Sequence, residues 1–219
     1  MTKIPTHTRH SHVIIRTMEE DDIPKIVELQ KIAFPAMAAE GVYWKPDQLK
    51  AHLKVFPQGQ FVAEYHGKIV GSCSSLIVKL KSEYAEHTWM GVCGDSFFKN
   101  HDPSGDSLYG ADISSHPEHR RLGVATKLYN ARKELAINLN LRRIIAGARL
   151  INYCEYAKEL SPLEYVHKVK RHEIKEPVLS FQIRNGFKFI KILSNYMKDP
   201  RSLNNATFIE WKNPNFVEK

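Results

Sequence analysis

A strand, a short basic turn and a long helix follow one another in the middle of the chain and leave little freedom for the backbone. Residues 108 to 115 have the composition of a β-strand, and Pro117 ends it because proline cannot donate a hydrogen bond within a sheet. Arg120 and Arg121 come next. Apolar residues at i, i+3 and i+4 spacing then predict one buried helix face: Ala125, Leu128, Tyr129, Leu135, Ala136 and Leu139.

The start of this helix has the features of an anion site. Gly123 and Ala125 are small, so a large group can approach the backbone there. The first N–H groups of a helix have no partner within it, and the positive end of the helix dipole lies at the same place. Arg120 and Arg121 add two positive charges. We therefore expect an anion at this turn, and pyrophosphate is the anion that we predict.

The whole chain has the composition of one soluble globular domain. Its 219 residues allow a sizeable core, and 42% hydrophobic and 26% charged residues are ordinary fractions. No apolar run approaches the roughly eighteen residues of a membrane span, and the first residues lack an apolar signal core. Three cysteines without paired spacing are typical of a reducing cytosol. We therefore expect a cytoplasmic protein that does not contact the membrane.

Periodicity and turn residues divide the chain into elements. Residues 1 to 12 are polar and predict a flexible tail. The predicted strands are 13 to 16, 60 to 65, 68 to 78, 108 to 115, 142 to 148, 187 to 193 and 207 to 212. Besides the helix after Gly123, helices are predicted at 19 to 33 and at 47 to 55, with Asp47 as the N-cap. Residues 153 to 176 are helical in composition.

Two motifs in this order carry a family resemblance. Arg120-x-x-Gly123-x-Ala125, after a strand and His-Pro, resembles the R/Q-x-x-G-x-G/A acyl-CoA loop of the GNAT superfamily of N-acetyltransferases. The stretch Val178-Leu-Ser-Phe-Gln-Ile-Arg-Asn-Gly186-Phe187 resembles that family's late helix, which ends in Gly-Phe before the sixth strand. With the strands between them, the motifs extend the resemblance over residues 13 to 212.

A narrower resemblance is to the acetyltransferase domain found fused to carbon–nitrogen hydrolases. Four segments carry it: Gly71-Ser-Cys-Ser-Ser-Leu, Asn100-His-Asp-Pro, Ser161-Pro-Leu-Glu-Tyr-Val and Pro177-Val-Leu-Ser-Phe-Gln. We expect no hydrolase domain within these 219 residues.

The resemblance implies a fold and a reaction. The fold is α/β, the GNAT acyl-CoA N-acyltransferase fold, with a mixed, mostly antiparallel sheet of about seven strands flanked by helices. It would occupy residues 13 to 219 as a single domain, with a helical insertion at about 153 to 176. The implied reaction moves an acetyl group from acetyl-CoA directly to an amine, either a small molecule or a protein amine. The alternative is a catalytically degenerate member that binds acyl-CoA as a sensor or interaction module.

The resemblance also implies which residues bind the cosubstrate. The backbone of the turn would hold the pyrophosphate, the preceding strand would lie along the pantetheine arm, and one residue after the next strand would contribute a further contact. The predicted acyl-CoA-binding residues are Ile113, Ser114, Ser115, Arg120, Arg121, Leu122, Gly123, Val124, Ala125, Thr126 and Asn152.

Acetyl transfer to an amine requires a group that accepts the amine's proton. Asp112 stands at a position that is often acidic in the family, and we predict it as the general base. Its alternative role is an aspartate paired with a neighbouring base or facing solvent. Asp95 and Glu83 are weaker candidates.

The proton donor for the leaving thiolate is a point of departure from the family. The family places a tyrosine on the late helix, whereas this chain has Gln182 there, and glutamine is not a useful acid. We name Tyr153 as the candidate catalytic tyrosine, with Tyr156 and Tyr196 as alternatives, and the thiolate could also leave unaided. A backbone N–H near Ser114 would hold the tetrahedral oxyanion.

Charge and spacing limit the other partners. The formal net charge is +8, but the basic residues are dispersed, so we expect a site for polyanionic CoA and no nucleic-acid partner. No cluster with metal-ligand spacing is present in the sequence, and we expect no metal. A homodimer is left open. Residues 153 to 176 are predicted to form a lid over the acceptor site, or else to cover a hydrophobic patch or make a dimer contact.

Overall fold

The computed structural model of the chain describes residues 12–218. The predicted flexible tail at residues 1 to 12 lies outside this range except for its last residue, His12.

Seven strands form one sheet in the order β1-β2-β3-β4-β5-β7-β6. Every neighbouring pair is antiparallel except β4 and β5, which are parallel. The strands are β1 (Ile14–Thr17), β2 (Gln60–Tyr65), β3 (Lys68–Val78), β4 (Ser107–Ser115), β5 (Arg143–Arg149), β6 (Lys188–Leu193) and β7 (Ala206–Lys212). This sheet confirms the predicted mixed, mostly antiparallel α/β fold.

Helices cover both faces of the sheet. In the described part of the chain they are α1 (Ile23–Ala33), α2 (Pro35–Ala39), α3 (Pro46–Val55), α4 (Trp89–Val92), α5 (Val124–Asn138), α6 (Pro162–Lys170) and α7 (Pro177–Arg184). Buried side chains of α1, α3 and α4 form a core on one face together with Trp44 and Phe98. Buried side chains of α5, α6 and α7 form a second core on the other face. The sheet is therefore the middle of three layers.

Prolines set two helix starts that differ from the sequence-based prediction. A 3₁₀ turn occupies Glu20–Asp22, and α1 begins only at Ile23, with Pro24 in its first turn. The prediction of Asp47 as an N-cap is wrong, because Lys45 is the N-cap and Pro46 is the first residue of α3. Proline suits the first turn because the N–H that it lacks would have no helical partner there.

The segment at 153 to 176 contributes to the second core. It contains a 3₁₀ turn at Tyr153–Glu155 followed by α6. Tyr165 and Val166 of α6 are fully buried, Val169 is buried beside them, and the Tyr165 hydroxyl donates to Glu176 at 2.8 Å. These contacts with β6 and α7 favour the interpretation that the segment covers a hydrophobic patch over its interpretation as a lid.

Candidate active site

The sheet opens between its two parallel strands. β4 and β5 pair only from Ser107 opposite Arg143 to Tyr109 opposite Ile145. Beyond that point residues 110–115 still pair with β3, and residues 146–149 still pair with β7, but not with each other. The facing backbone edges therefore lack ladder partners over these residues. An extended ligand with its own amide groups can fill such a gap by pairing with the strand edge.

A β-bulge in β4 lies where the gap begins. The register shifts so that Ser74 faces Asp112 while Ser75 faces Gly110, which leaves Ala111 as the extra residue. Trp89 Nε1 donates to the carbonyl of Ala111 at 2.9 Å, and the Arg132 guanidinium donates to the carbonyl of Asp112. A bulge bends its strand, so side chains from both faces stabilise the bend that directs β4 away from β5.

The turn after β4 leads into α5 through two left-handed residues. Arg121 has φ +74° and Gly123, the N-cap of α5, has φ +72°. Leu122 and Val124 alternate with them and pack against a third group of apolar side chains on the sheet. The turn is thereby anchored by two apolar residues while its arginines and glycine stay exposed.

The anchored turn presents an electropositive surface at one end of the gap. The first N–H groups of the 15-residue α5 have no helical acceptor, and the helix dipole adds positive potential there. Within residues 12–218, Arg120 and Arg121 form no ion pair. A Cβ added at Gly123 would meet no heavy atom within 4 Å. The amides face open space that a phosphate group can occupy.

The other predicted cosubstrate residues take different positions. Ile113, Ser114 and Ser115 form the last part of β4 along the gap, and Ser114 is buried. The Asn152 side chain has its partners within the protein: its amide nitrogen donates to the Lys175 carbonyl at 3.1 Å, and its oxygen accepts from Arg201 at 3.0 Å. A cosubstrate contact by this side chain would have to replace one of these bonds and stays a prediction.

Asp112 lies at the bulge, with hydrogen-bond donors from two elements. Gln30 Nε2 and the Ser114 hydroxyl donate to the same carboxylate oxygen, at 3.0 and 3.1 Å. Gln30 is fixed in turn, because its own oxygen accepts the Trp44 N–H at 2.8 Å. Burial raises the pKa of Asp112, while the Ser114 bond and the charge of Arg132 partly oppose that rise. A carboxyl group with a raised pKa is a stronger proton acceptor than an exposed aspartate.

The Tyr153 side chain has its contacts within the second core. Its hydroxyl donates to the Leu160 carbonyl at 3.0 Å, and its ring is buried against Tyr165 in the second core. With its proton already donated, this hydroxyl is poorly placed to protonate a thiolate. A role for Tyr153 as the acid would require this hydroxyl to leave Leu160, and that role stays a prediction.

Gln182 is almost fully buried on α7 and reaches across to α5. Its Nε2 donates to the Tyr129 hydroxyl at 3.1 Å. Its oxygen is buried and has no hydrogen-bond partner in the described part of the chain. Gln182 stands where the family resemblance predicts a tyrosine, and in the structure it contacts a different tyrosine, Tyr129.

Arg132 is a site residue that the sequence did not single out. It is 2% exposed on α5, where Nε donates to the Ser75 hydroxyl at 2.8 Å and one terminal nitrogen donates to the Ser74 carbonyl at 2.9 Å. Gly110 makes room for it, since a Cβ there would lie 3.1 Å from the guanidinium. No carboxylate pairs with this buried cation among residues 12–218. The sequence does contain an indication of this role, because Arg132 follows Leu128 by four residues and so falls on the predicted buried face of the helix.

On the opposite face the gap is bordered by a second charged group. Arg149, the last residue of β5, donates to Asp199 at 2.8 Å and also contacts the sulfur of Met37 in α2. Burial opposes the ionisation of Asp199, but Arg149 outweighs it and the pKa is lowered. The gap thus has α5 and α7 on one side and a charged rim on the other.

Two wider properties of the described residues concern metal binding and the membrane. Among residues 12–218, no three His, Cys, Asp or Glu side chains are arranged so that they could hold a metal ion. No helix in the same range is long and apolar enough to cross a bilayer.

Comparison with known proteins identifies the family that the sequence matches. The model of the acetyltransferase (GNAT) family matches residues 23–155. The uncharacterized N-acetyltransferase YkwB of Bacillus subtilis (strain 168) is 39% identical over 199 residues, covering 91% of this chain and 88% of that protein. The probable hydrolase YhcX of the same organism is 45% identical over 206 residues, and the match covers 94% of this chain but only 39% of YhcX.

A solved structure shares the fold. The GphF GNAT-like decarboxylase in complex with isobutyryl-CoA superposes with a TM-score of 0.76 at 21% identity, covering 91% of this chain and 99% of that chain. At this level of identity the likeness concerns the arrangement of strands and helices alone.

Proposed function

Since the chain belongs to the GNAT acetyltransferase family, we propose that it transfers the acetyl group of acetyl-CoA to an amine in a direct ternary complex. The observation that carries this proposal is the alignment of the exposed turn at Arg120 to Thr126 with the unpaired edge of β4. The turn suits a pyrophosphate, and the strand edge suits an extended arm that contains amides. CoA contains both groups in this order.

Cosubstrate binding begins at the turn. The N–H groups from Arg121 to Thr126 hold the pyrophosphate, and Arg120 and Arg121 supply charge that no residue in the described range neutralises. The pantetheine arm then pairs with residues 113–115 at the edge of β4. The thioester lies near the bulge, where an unpaired backbone N–H donates a hydrogen bond to the developing oxyanion.

Asp112 takes the proton from the attacking amine. An amine with an ordinary pKa is only about one part in two thousand neutral at pH 7, so removal of its proton is a substantial part of the barrier. The bonds from Gln30 and Ser114 hold the carboxylate in one orientation at the bulge. Its raised pKa supports this role because it increases the affinity for the proton.

Direct transfer is supported by the environment of the thiols. Cys73 and Cys93 are buried, and burial raises the pKa of both, so neither is an active nucleophile. Cys154 is exposed, but it lies in the 3₁₀ turn after β5 with its N–H bound to the Arg201 carbonyl. The three unpaired thiols also support a cytoplasmic location.

The proposed acceptor is an amine, in a small molecule or in a protein. The ion pair of Arg149 and Asp199 borders the face of the gap opposite α5, where an acceptor would enter. Its two charges suit a polar acceptor that carries a second charged group besides the amine.

The proposal is tested by measuring thiol release from acetyl-CoA in the presence of a panel of amines. The panel contains polyamines, amino acids, aminoglycosides and peptides, and mass spectrometry identifies any acetylated product. We expect at least one amine to be acetylated in step with thiol release. Tight acetyl-CoA binding without turnover for any amine would instead favour the degenerate sensor, to which Gln182 gives some support.

A further inference from the structure

Cleavage of the thioester produces a thiolate, and a nearby proton donor lowers the cost of its departure. On one face of the sheet the gap is bordered by α5, which packs on β4, and by α7, which packs on β5. The bond from Gln182 on α7 to Tyr129 on α5 joins these helices across the gap. The Tyr129 hydroxyl therefore lies over the place where the two strands separate.

The hydrogen bonding of this hydroxyl is incomplete. Its oxygen accepts from Gln182 Nε2 at 3.1 Å, while its own proton has no acceptor within residues 12–218. Tyr129 is only 3% exposed, so water does not readily supply that acceptor. A buried O–H without an acceptor is costly unless a ligand provides one.

The surroundings act in opposite directions on the charge that follows proton donation. Burial raises the pKa of Tyr129, so the hydroxyl is protonated at neutral pH. The charge of Arg132, whose guanidinium lies 5.8 Å from the ring centre, and the bond from Gln182 partly offset that rise. Cys73 and Asp112 are the other titratable groups whose charges act on it. Gln182 and Arg132 thus reduce the cost that burial imposes on a phenolate.

The remaining tyrosines near the gap are less suitable. The Tyr153 proton is donated to Leu160. Tyr196 is on the opposite face of the sheet, where its hydroxyl pairs with that of Tyr109 at 2.5 Å. Tyr129 alone combines a position between α5 and α7 with a proton that has no acceptor in the described part of the chain.

We propose that Tyr129 is the proton donor to the departing thiolate, that Gln182 positions its hydroxyl, and that Arg132 supplies a positive charge beside its ring. This inference rests on the proposed function. The amine nitrogen forms a bond to the acetyl carbon, the carbon–sulfur bond breaks, and its electron pair goes to sulfur. The sulfur takes the Tyr129 proton to give the free thiol of CoA. The phenolate, held by Gln182, recovers a proton after CoA has left and water has entered the gap, while Asp112 keeps the proton of the amine until then.

The contact between Tyr129 and the sulfur can be tested by comparing two ligands and two protein variants, and the test does not require the acceptor to be known. Calorimetry compares CoA with desulfo-CoA, in which hydrogen replaces the thiol, at about pH 8.5, where roughly half of an ordinary thiol is ionised. For the unaltered protein we expect CoA to bind about tenfold more tightly than desulfo-CoA. In Tyr129→Phe the two ligands should bind with similar affinity, because the hydrogen bond to sulfur is gone.

Tyr153→Phe is the matched control, since it removes another buried hydroxyl from the same face and should keep the tenfold difference. Thermal melting establishes that each variant is folded. If Tyr129→Phe unfolds, Gln182→Leu takes its place, and it should reduce the difference in affinity between CoA and desulfo-CoA. An unchanged difference in a folded Tyr129→Phe variant overturns the inference. Equal binding of both ligands by the unaltered protein also overturns it, whereas failure to bind either ligand refutes the proposed function and with it this inference.

Discussion

At the scale of single residues, Asp112 is the group whose chemistry is most open to measurement. In Asp112→Asn the amide oxygen still accepts the bonds from Gln30 and Ser114, but it cannot take a proton. We expect kcat/KM to fall by about a hundredfold, with loss of the acidic limb of the pH profile. Because the carboxylate is the active form, the rate of the unaltered enzyme should rise with pH through the raised pKa of Asp112.

Steady-state kinetics with the best amine of the panel, over a range of pH, measure this change. Acetyl-CoA affinity of Asp112→Asn serves as the control and should be nearly unaltered. A variant that keeps the acidic limb would show that the amine's proton goes to another group.

Which site residues the sequence reveals depends on how local their interactions are. The turn at 120 to 126 is formed by neighbours in the chain, so its spacing predicts its shape. Arg132 acts through Ser74, Ser75 and Asp112, and these meet only because of the register and the bulge between β3 and β4. No periodicity in the sequence encodes that register, and the arginine was therefore not predicted as part of the site.

At the scale of elements, one contact between α3 and the turn at Gly94–Phe98 is sensitive to pH. The His52 ring stacks on the Phe98 ring with 3.6 Å between the ring centres, and its Nε2 donates to the Ser96 carbonyl at 2.8 Å. Burial lowers the pKa of His52 from 6.5 to about 4. The neutral ring therefore contributes its full stability above pH 6.5, and this contribution is lost as pH falls towards about 4.

Exchange of this histidine is expected to reduce the acid sensitivity of the fold. The pKa difference corresponds to at most about 3 kcal/mol in the free energy of unfolding. His52→Gln keeps a donor for Ser96 but does not titrate, so its unfolding free energy should fall less between pH 6.5 and 4. Urea unfolding of both proteins across this range measures the difference. If the unfolding free energies of both proteins fell equally between pH 6.5 and 4, His52 would not be the source of the acid sensitivity.

A second element-scale prediction concerns α6 and its place in the core. Val169→Ala removes buried methyl groups between α6 and the sheet, and we expect the free energy of unfolding to fall by about 2 kcal/mol. The control is Leu163→Ala on the same helix, which is half-exposed and should change stability by roughly 0.5 kcal/mol or less. Urea unfolding measures both, and acceptor KM should be the same in both. A raised acceptor KM for Leu163→Ala would instead favour the lid.

Strand and helix limits were predicted best where turn chemistry is explicit. β2 and β3 have the predicted limits, because His66 and Gly67 form a tight turn with left-handed backbone at both positions. The helical composition of 153 to 176 gave no indication that a 3₁₀ turn and an extended connection precede α6. Tertiary packing of Tyr165 and Val169 decides where that helix lies, and composition does not contain this information.

At the scale of the whole molecule, the family was predicted from two motifs and confirmed by the matches along the chain. The opening between β4 and β5 was not predicted from the pattern of residues, since both strands read as ordinary buried strands. It arises from the bulge and from side chains that bind the carbonyls of Ala111 and Asp112 on opposite faces. The same opening connects the turn at Arg120 to Thr126 with Asp112 and Tyr129.

Calorimetric titration of acetyl-CoA tests most directly whether this turn is the cosubstrate site. Gly123→Glu places a negative side chain in the space assigned to pyrophosphate. Gly41→Glu is the matched control, because Gly41 also has positive φ and open space around its Cβ position but lies between α2 and α3. We predict that affinity falls tenfold or more, about 1.4 kcal/mol, in Gly123→Glu and stays unchanged in Gly41→Glu. Unaltered acetyl-CoA affinity in a folded Gly123→Glu variant would contradict the account.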